Sequence, residues 1–152
     1  MKKFQFSLQR LKDFRAQELD RQKNALAVLQ GDLKRLEESL DELNVSIRER
    51  SDELTQVCMQ GARVTDIAVR KRYIVTLQQE IHICEQQIIQ KKAEVEKQLS
   101  VVVDATKDVK TLEMLEEKQF EEYRLAEGKE NEQFIEEFVS GKMIRETIEN
   151  HS

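Results

Sequence analysis

Two cysteines, two histidines and 30 acidic side chains are the groups in this sequence with chemistry to offer. Cys58, His82, Cys84 and His151 lack the close, repeated spacing that binds a metal ion. Two cysteines are also too few for a disulfide framework, so both are expected as reduced thiols in a cytosolic protein. Phosphate binding needs a glycine-rich loop, yet the one Gly-Lys pair, Gly141 and Lys142, is followed by Met143. General acid–base catalysis needs carboxylates sheltered in a pocket, whereas here Glu and Asp are spread along solvated faces. No catalytic residue, metal or cofactor is therefore expected, and the chain is read as a protein that binds rather than an enzyme.

The elements that would position these groups are helices. The 152 residues include no Pro, no Trp and only four Gly, and 36% are charged. Pro breaks helices and Gly weakens them, so this composition suits long uninterrupted ones. Apolar residues make up 39% and occur mostly singly, which forms a seam rather than a thick core. A net charge of −5 argues against nucleic-acid binding by the chain as a whole. The basic start before leucine heptads lacks the dense Arg/Lys run with a base-reading Asn of a zipper DNA reader. Arg70, Lys71 and Arg72 read as a solvated helix face, with a partner patch as the alternative. Gln5, Gln9, Arg10 and Lys12 leave no apolar signal-peptide core, and the longest aliphatic run is Val101–Val103. A soluble, cytoplasmic protein without direct membrane insertion is expected.

From residue 26 the apolar side chains step by three and four: Leu26, Leu29, Leu33, Leu36, Leu40, Leu43, Ile47, Leu54 and Val57, interrupted only at Arg50. This is the 3.5-residue repeat that wraps one helix on another. Upstream, Phe4, Leu8 and Leu11 follow a slightly offset register, with Arg15 and Gln22 at weak seam positions. A second seam comprises Ile67, Ile74, Leu77, Ile81, Cys84, Ile88, Val95, Val102, Val109 and Leu112. Between the seams lies QGARVTD, residues 60–66, where Gly61 can end one helix and Thr65 or Asp66 can cap the next. The predicted organisation is one unit over residues 1–152. Helix 1 covers about 4–59, a turn about 60–65, helix 2 about 66–127, and a partly flexible extension 128–152.

If the break is a turn, facing residue numbers add to about 124, the sum set by Val57 meeting Ile67. Ile47 then meets Leu77, Leu36 meets Ile88, and Phe4 meets Phe120. The same rule sets residues 1–23, with seven Lys/Arg against three Asp/Glu, beside residues 111–152, with five against twelve. An all-α, antiparallel two-helix coiled-coil hairpin, monomeric, is the expected fold. The rival is a parallel homodimer, which would bring like-charged ends together and lacks a seam Asn to fix its register.

The phenylalanines sharpen the picture. Phe4, Phe6 and Phe14 open the chain, Phe120, Phe134 and Phe138 close it, and none lies between. On the hairpin they gather at or beyond the tip where both termini meet. A plug against fraying accounts for Phe4 and Phe120. Phe6, Phe134 and Phe138 point further, to a docking surface.

Three stretches together resemble the FliJ family of flagellar type III export proteins: KKFQFSLQRLKDFR at 2–15, YIVTLQQEI at 73–81, and DATKDVKTLEMLEEKQFEEYR at 104–124 followed by FIEEFVSGKM at 134–143. The resemblance implies an antiparallel two-helix stalk, like the central shaft of rotary ATPases. Its partners would be the hexameric flagellar export ATPase, the export-gate membrane protein and export chaperones, with the protein held peripherally at the inner face of the cell membrane. Contact with the ATPase ring falls on Phe4, Phe6, Leu8, Leu11, Leu115, Phe120 and Tyr123. Contact with the gate falls on Tyr73, Leu77, Glu80 and Cys84, although Leu77 and Cys84 also sit on the seam and Glu80 brings a charge. The stalk of a virulence type III secretion system and a generic homodimeric scaffold are the alternative readings.

Overall fold

A left-handed residue reverses the chain. In the computed structural model, which describes residues 2–151, helix α1 runs Gln9–Gln60 and helix α2 runs Val64–Asn150. Between them Gly61 has φ of +81°, the only positive φ among the described residues. Without a Cβ, glycine adopts this conformation at no steric cost and stops α1 where the heptads stop. Helix α2 starts at Val64, so Thr65 and Asp66 lie inside its first turn instead of ahead of it. There the Asp66 carboxylate complements the positive end of the helix dipole. The first helix also starts later than the periodicity predicts: residues 2–6 are non-helical and carry Phe4 and Phe6. The backbone N–H of Gln9 donates to the Phe6 carbonyl at 3.2 Å to open α1. At the other end α2 continues through residues 128–150, the stretch set off in the sequence as an extension. Met1 and Ser152, the outermost residues of the expected unit, lie outside the described residues.

The fold is all-α, two long helices packed against each other as an antiparallel hairpin. The chain divides into two compact units, one of Asp20–Asp104 and one of Met1–Leu19 with Ala105–Ser152.

Within Asp20–Asp104 the seam is built as the heptads require. Leu77, Cys84, Ile88 and Val102 are buried on α2. The facing leucines of α1 are only half-buried, because a two-helix pair has one interface and each seam side chain keeps an open flank. The Cys84 thiol donates to the Leu36 carbonyl at 3.4 Å, Gln98 Nε2 donates to Gln22 Oε1 at 2.7 Å, and Arg70 pairs with Glu53 at 3.5 Å. Each pair falls within about one turn of the register expected from the turn. Polar residues at seam positions find polar partners. Arg50, the one interruption in the α1 series, holds Glu53 at 2.6 Å. Lys91 holds Glu94 at 2.9 Å with Asp32 at 4.0 Å.

Within the other unit, Phe6, Val109 and Leu112 are buried. The chain segments again run antiparallel: Ser7 meets Gln119 at 3.3 Å, whereas Lys12, further along, meets the earlier Glu116 at 2.6 Å.

Two substitutions test this account. Gly61→Ala forces a Cβ into the left-handed region and is expected to cost about 1–2 kcal/mol, although open space surrounds the site. Leu77→Ala opens a gap at the seam and is expected to cost about 2–4 kcal/mol. Urea unfolding followed by circular dichroism measures both, and an unchanged midpoint for either would contradict the corresponding role.

Candidate functional site

The non-helical lead of residues 2–6 folds back over α2 and is tied there by aromatic rings. The Phe4 ring meets Phe120 edge-on, with centroids 5.3 Å apart and planes at 69°. It also meets Tyr123 at 5.6 Å and 52°. Edge-to-face contacts of this kind place a positive ring edge against a negative face and add about 0.5–1.5 kcal/mol beyond area burial. Phe6, two residues on, is buried at 7% exposure, the least exposed of the phenylalanines.

Hydrogen bonds fix the same segment. The Tyr123 hydroxyl donates to the Lys2 carbonyl, and the Ser7 hydroxyl donates to Gln119 Oε1 at 3.3 Å. Partial burial pushes the Tyr123 phenol above its ordinary pKa, helped by Glu127 and by the charge of Glu130, so it stays a neutral donor. The groove beside Phe4 and Phe120 is rimmed by Lys12, Glu113, Glu116 and Glu117. The hydrogen bond from Lys12 to Glu116 holds its ammonium above the usual lysine pKa, against a smaller desolvation effect.

The structure therefore brings Phe4, Phe120 and Tyr123 into one cluster, with Phe6 buried nearby in sequence and Leu115 half-buried. Leu8, just ahead of α1, and Leu11, in its first turn, stay exposed at 37% and 40%. Beside them Phe14 is 54% exposed, with the Arg15 guanidinium 5.8 Å from its ring centre. Phe14 is not among the ring-contact residues expected from the sequence, although it is an aromatic next to an arginine three residues after Leu11. Further along α2, Leu125, Phe134 and Phe138 are exposed as well.

The second predicted group is split. Leu77 and Cys84 are buried in the seam, and Cys84 is engaged with Leu36. Tyr73, half exposed, and Glu80 reach solvent. Tyr73 lines a shallow depression with Arg50, Glu53, Val69 and Arg70. Packing accounts for the two buried members, and only the two exposed ones can touch another molecule.

Among the described residues, no three His, Cys, Asp or Glu side chains converge as metal ligands, and no helix is long and apolar enough to cross a membrane. The fold is an all-α helical hairpin with aromatic and aliphatic side chains exposed along its helices. Its lineage is explicit: residues 4–147 match the family described as flagellar FliJ protein. The chain belongs to the FliJ family and is a flagellar type III export-related protein. Comparison with curated proteins finds no match, and neither does comparison with solved structures.

The Lys12–Glu116 pair makes a pH prediction. A lysine whose pKa is raised in the folded state contributes fully below its unfolded value of 10.5 and loses that contribution as pH rises through the folded one. Urea unfolding is expected to show the wild type more stable than Lys12→Met at neutral pH, with the gap closing above about pH 10.5. A gap that persists there would mean that packing, not charge, holds Lys12.

Proposed function

We propose that this chain is a non-enzymatic stalk of the flagellar type III export apparatus. Its aromatic end docks on the hexameric export ATPase and promotes the assembly and activity of that ring. The observation that carries the reading is the Phe4–Phe120–Tyr123 cluster, which ties the start of the chain to α2 beside the exposed Leu8, Leu11 and Phe14. Aromatic and leucine side chains held in fixed positions lose little entropy on binding and fit the sockets of a partner surface. A helical pair is also stiff, unlike a flexible linker, and can carry position along its axis. It lacks the ring's rotational symmetry, so it touches some subunits and not others at any moment. Unequal contact shifts the conformational populations of the touched subunits, which is a route to altered nucleotide turnover.

The same reading assigns the link to the export gate to Tyr73 and Glu80, with Leu77 and Cys84 holding that part of α2 in place. Export chaperones would be escorted by the stalk, which sits at the cytoplasmic face of the membrane through these contacts and not by insertion. The family description favours the flagellar system over a virulence counterpart.

Combining Phe4→Ala with Phe120→Ala tests the docking surface. Stimulation of the same organism's export ATPase is expected to be lost while helix content by circular dichroism stays at the wild-type level. Retained stimulation by a folded double variant overturns the assignment.

A further inference from the structure

The turn end of the hairpin is basic in a chain that is acidic as a whole. Residues 58–73 hold Arg63, Arg70, Lys71 and Arg72 against the single acid Asp66, whereas the whole chain has a net charge of −5. Arg70 is held by Glu53 at 3.5 Å. Arg63, Lys71 and Arg72 are exposed, and among the described residues no acidic side chain pairs with them. The same end carries the two most exposed large apolar side chains among the described residues, Met59 at 83% and Val64 at 82%. They stand on either side of Gly61, in the last turn of α1 and at the first residue of α2. Neither is a seam position, and caps and turns favour small polar residues, so nothing within the hairpin accounts for them. The backbones of Lys71 and Arg72 lie about 10–12 Å along the helix axis from Val64. Helical side chains lean toward the helix N-terminus, which here is the turn, so both charges are carried toward the apolar end.

We infer that this end rests on an anionic lipid surface, with Met59 and Val64 among the headgroups and Arg63, Lys71 and Arg72 facing lipid phosphates. A cation close to an anionic leaflet strengthens binding about fivefold, and the attraction falls off within a Debye length of roughly 8–10 Å. Cations already held by a carboxylate gain little from such a surface, and these three are not so held. An acidic protein would answer the charges equally well, but it must also supply a socket for each apolar side chain. Met59 and Val64 are more than four-fifths exposed, so they project from the end instead of lining a concavity. A headgroup layer closes around a projecting side chain without any preformed shape. Among the described residues no helix is long and apolar enough to cross a bilayer, so the contact stays in the interfacial layer. Two apolar side chains and three cations make a weak, salt-sensitive attachment, and firm anchoring takes a second contact. Tyr73 and Glu80, assigned above to the export gate, follow within the next turns of α2, so both contacts serve one end of the unit. The lipid contact stands without that assignment, because it is read from other residues.

Co-sedimentation of the full chain with lipid vesicles tests the inference. In about 0.1 M salt, vesicles of equal phosphatidylglycerol and phosphatidylcholine are expected to carry the chain down, and salt of about 0.5 M should release it. Vesicles of phosphatidylcholine alone should leave it in solution. Arg63→Gln, Lys71→Gln and Arg72→Gln together should weaken binding at least about tenfold. Lys34→Gln, Lys92→Gln and Lys97→Gln remove the same total charge from exposed sites away from the turn, and should leave binding within about twofold of the wild type. Met59→Ser with Val64→Ser should weaken binding at least about threefold while helix content by circular dichroism is unchanged. No binding to the anionic vesicles overturns the proposal, including the case in which soluble polyglutamate binds and marks an acidic protein as the occupant. So does equal loss from the two charge triples, or binding indifferent to the loss of Met59 and Val64.

Discussion

The antiparallel seam between α1 and α2 is what every other feature here depends on, and it exists because one glycine takes a conformation the other residues avoid. Gly61 at φ of +81° ends α1 and lets α2 return along it. A continuous helix through that point would separate the two heptad series, and each would need another chain to cover it. With the reversal in place, residues far apart in sequence become neighbours at fixed register: Glu53 with Arg70, Leu36 with Cys84, Gln22 with Gln98.

A seam of this kind is narrow. The seam leucines of α1 from Leu26 to Leu54 are half-buried, and the most buried seam residue, Leu77, is 4% exposed. Stability comes from repetition along the helices and not from a deep core, which explains the tolerance for polar seam residues. Arg50, Lys91, Gln22 and Gln98 each reach a charged or amide partner at the interface edge, where water remains close and desolvation is slight. The same narrowness leaves most of each helix free to meet other molecules.

Those surfaces differ sharply in character. The lead segment and α2 form an aromatic cluster rimmed by Lys12 and several glutamates, with Leu8, Leu11 and Phe14 partly exposed in the same unit. The turn end instead joins exposed Met59 and Val64 to Arg63, Lys71 and Arg72, none of them ion-paired among the described residues. The basic run at 70–72 is visible in the sequence. That α1 engages Arg70 and leaves its two neighbours free is seen only in the structure.

Two seams, their common phase, the turn at Gly61 and the meeting of Phe4 with Phe120 were all legible in the sequence, because heptad spacing and a single helix-stopping glycine act locally and leave few arrangements. The family resemblance was legible too, through the order of three motifs. Tertiary structure decided the rest. Phe4 and Phe6 sit in a non-helical lead, since ring packing on α2 and the Tyr123–Lys2 hydrogen bond outweigh continuing the heptad backbone. The seam positions of Leu77 and Cys84 follow from the heptads, but the structure shows them at 4% and 6% exposure while Tyr73 and Glu80 reach solvent. Residue type and period say which side chains prefer burial, but only the partner helix determines which of them actually lose contact with water.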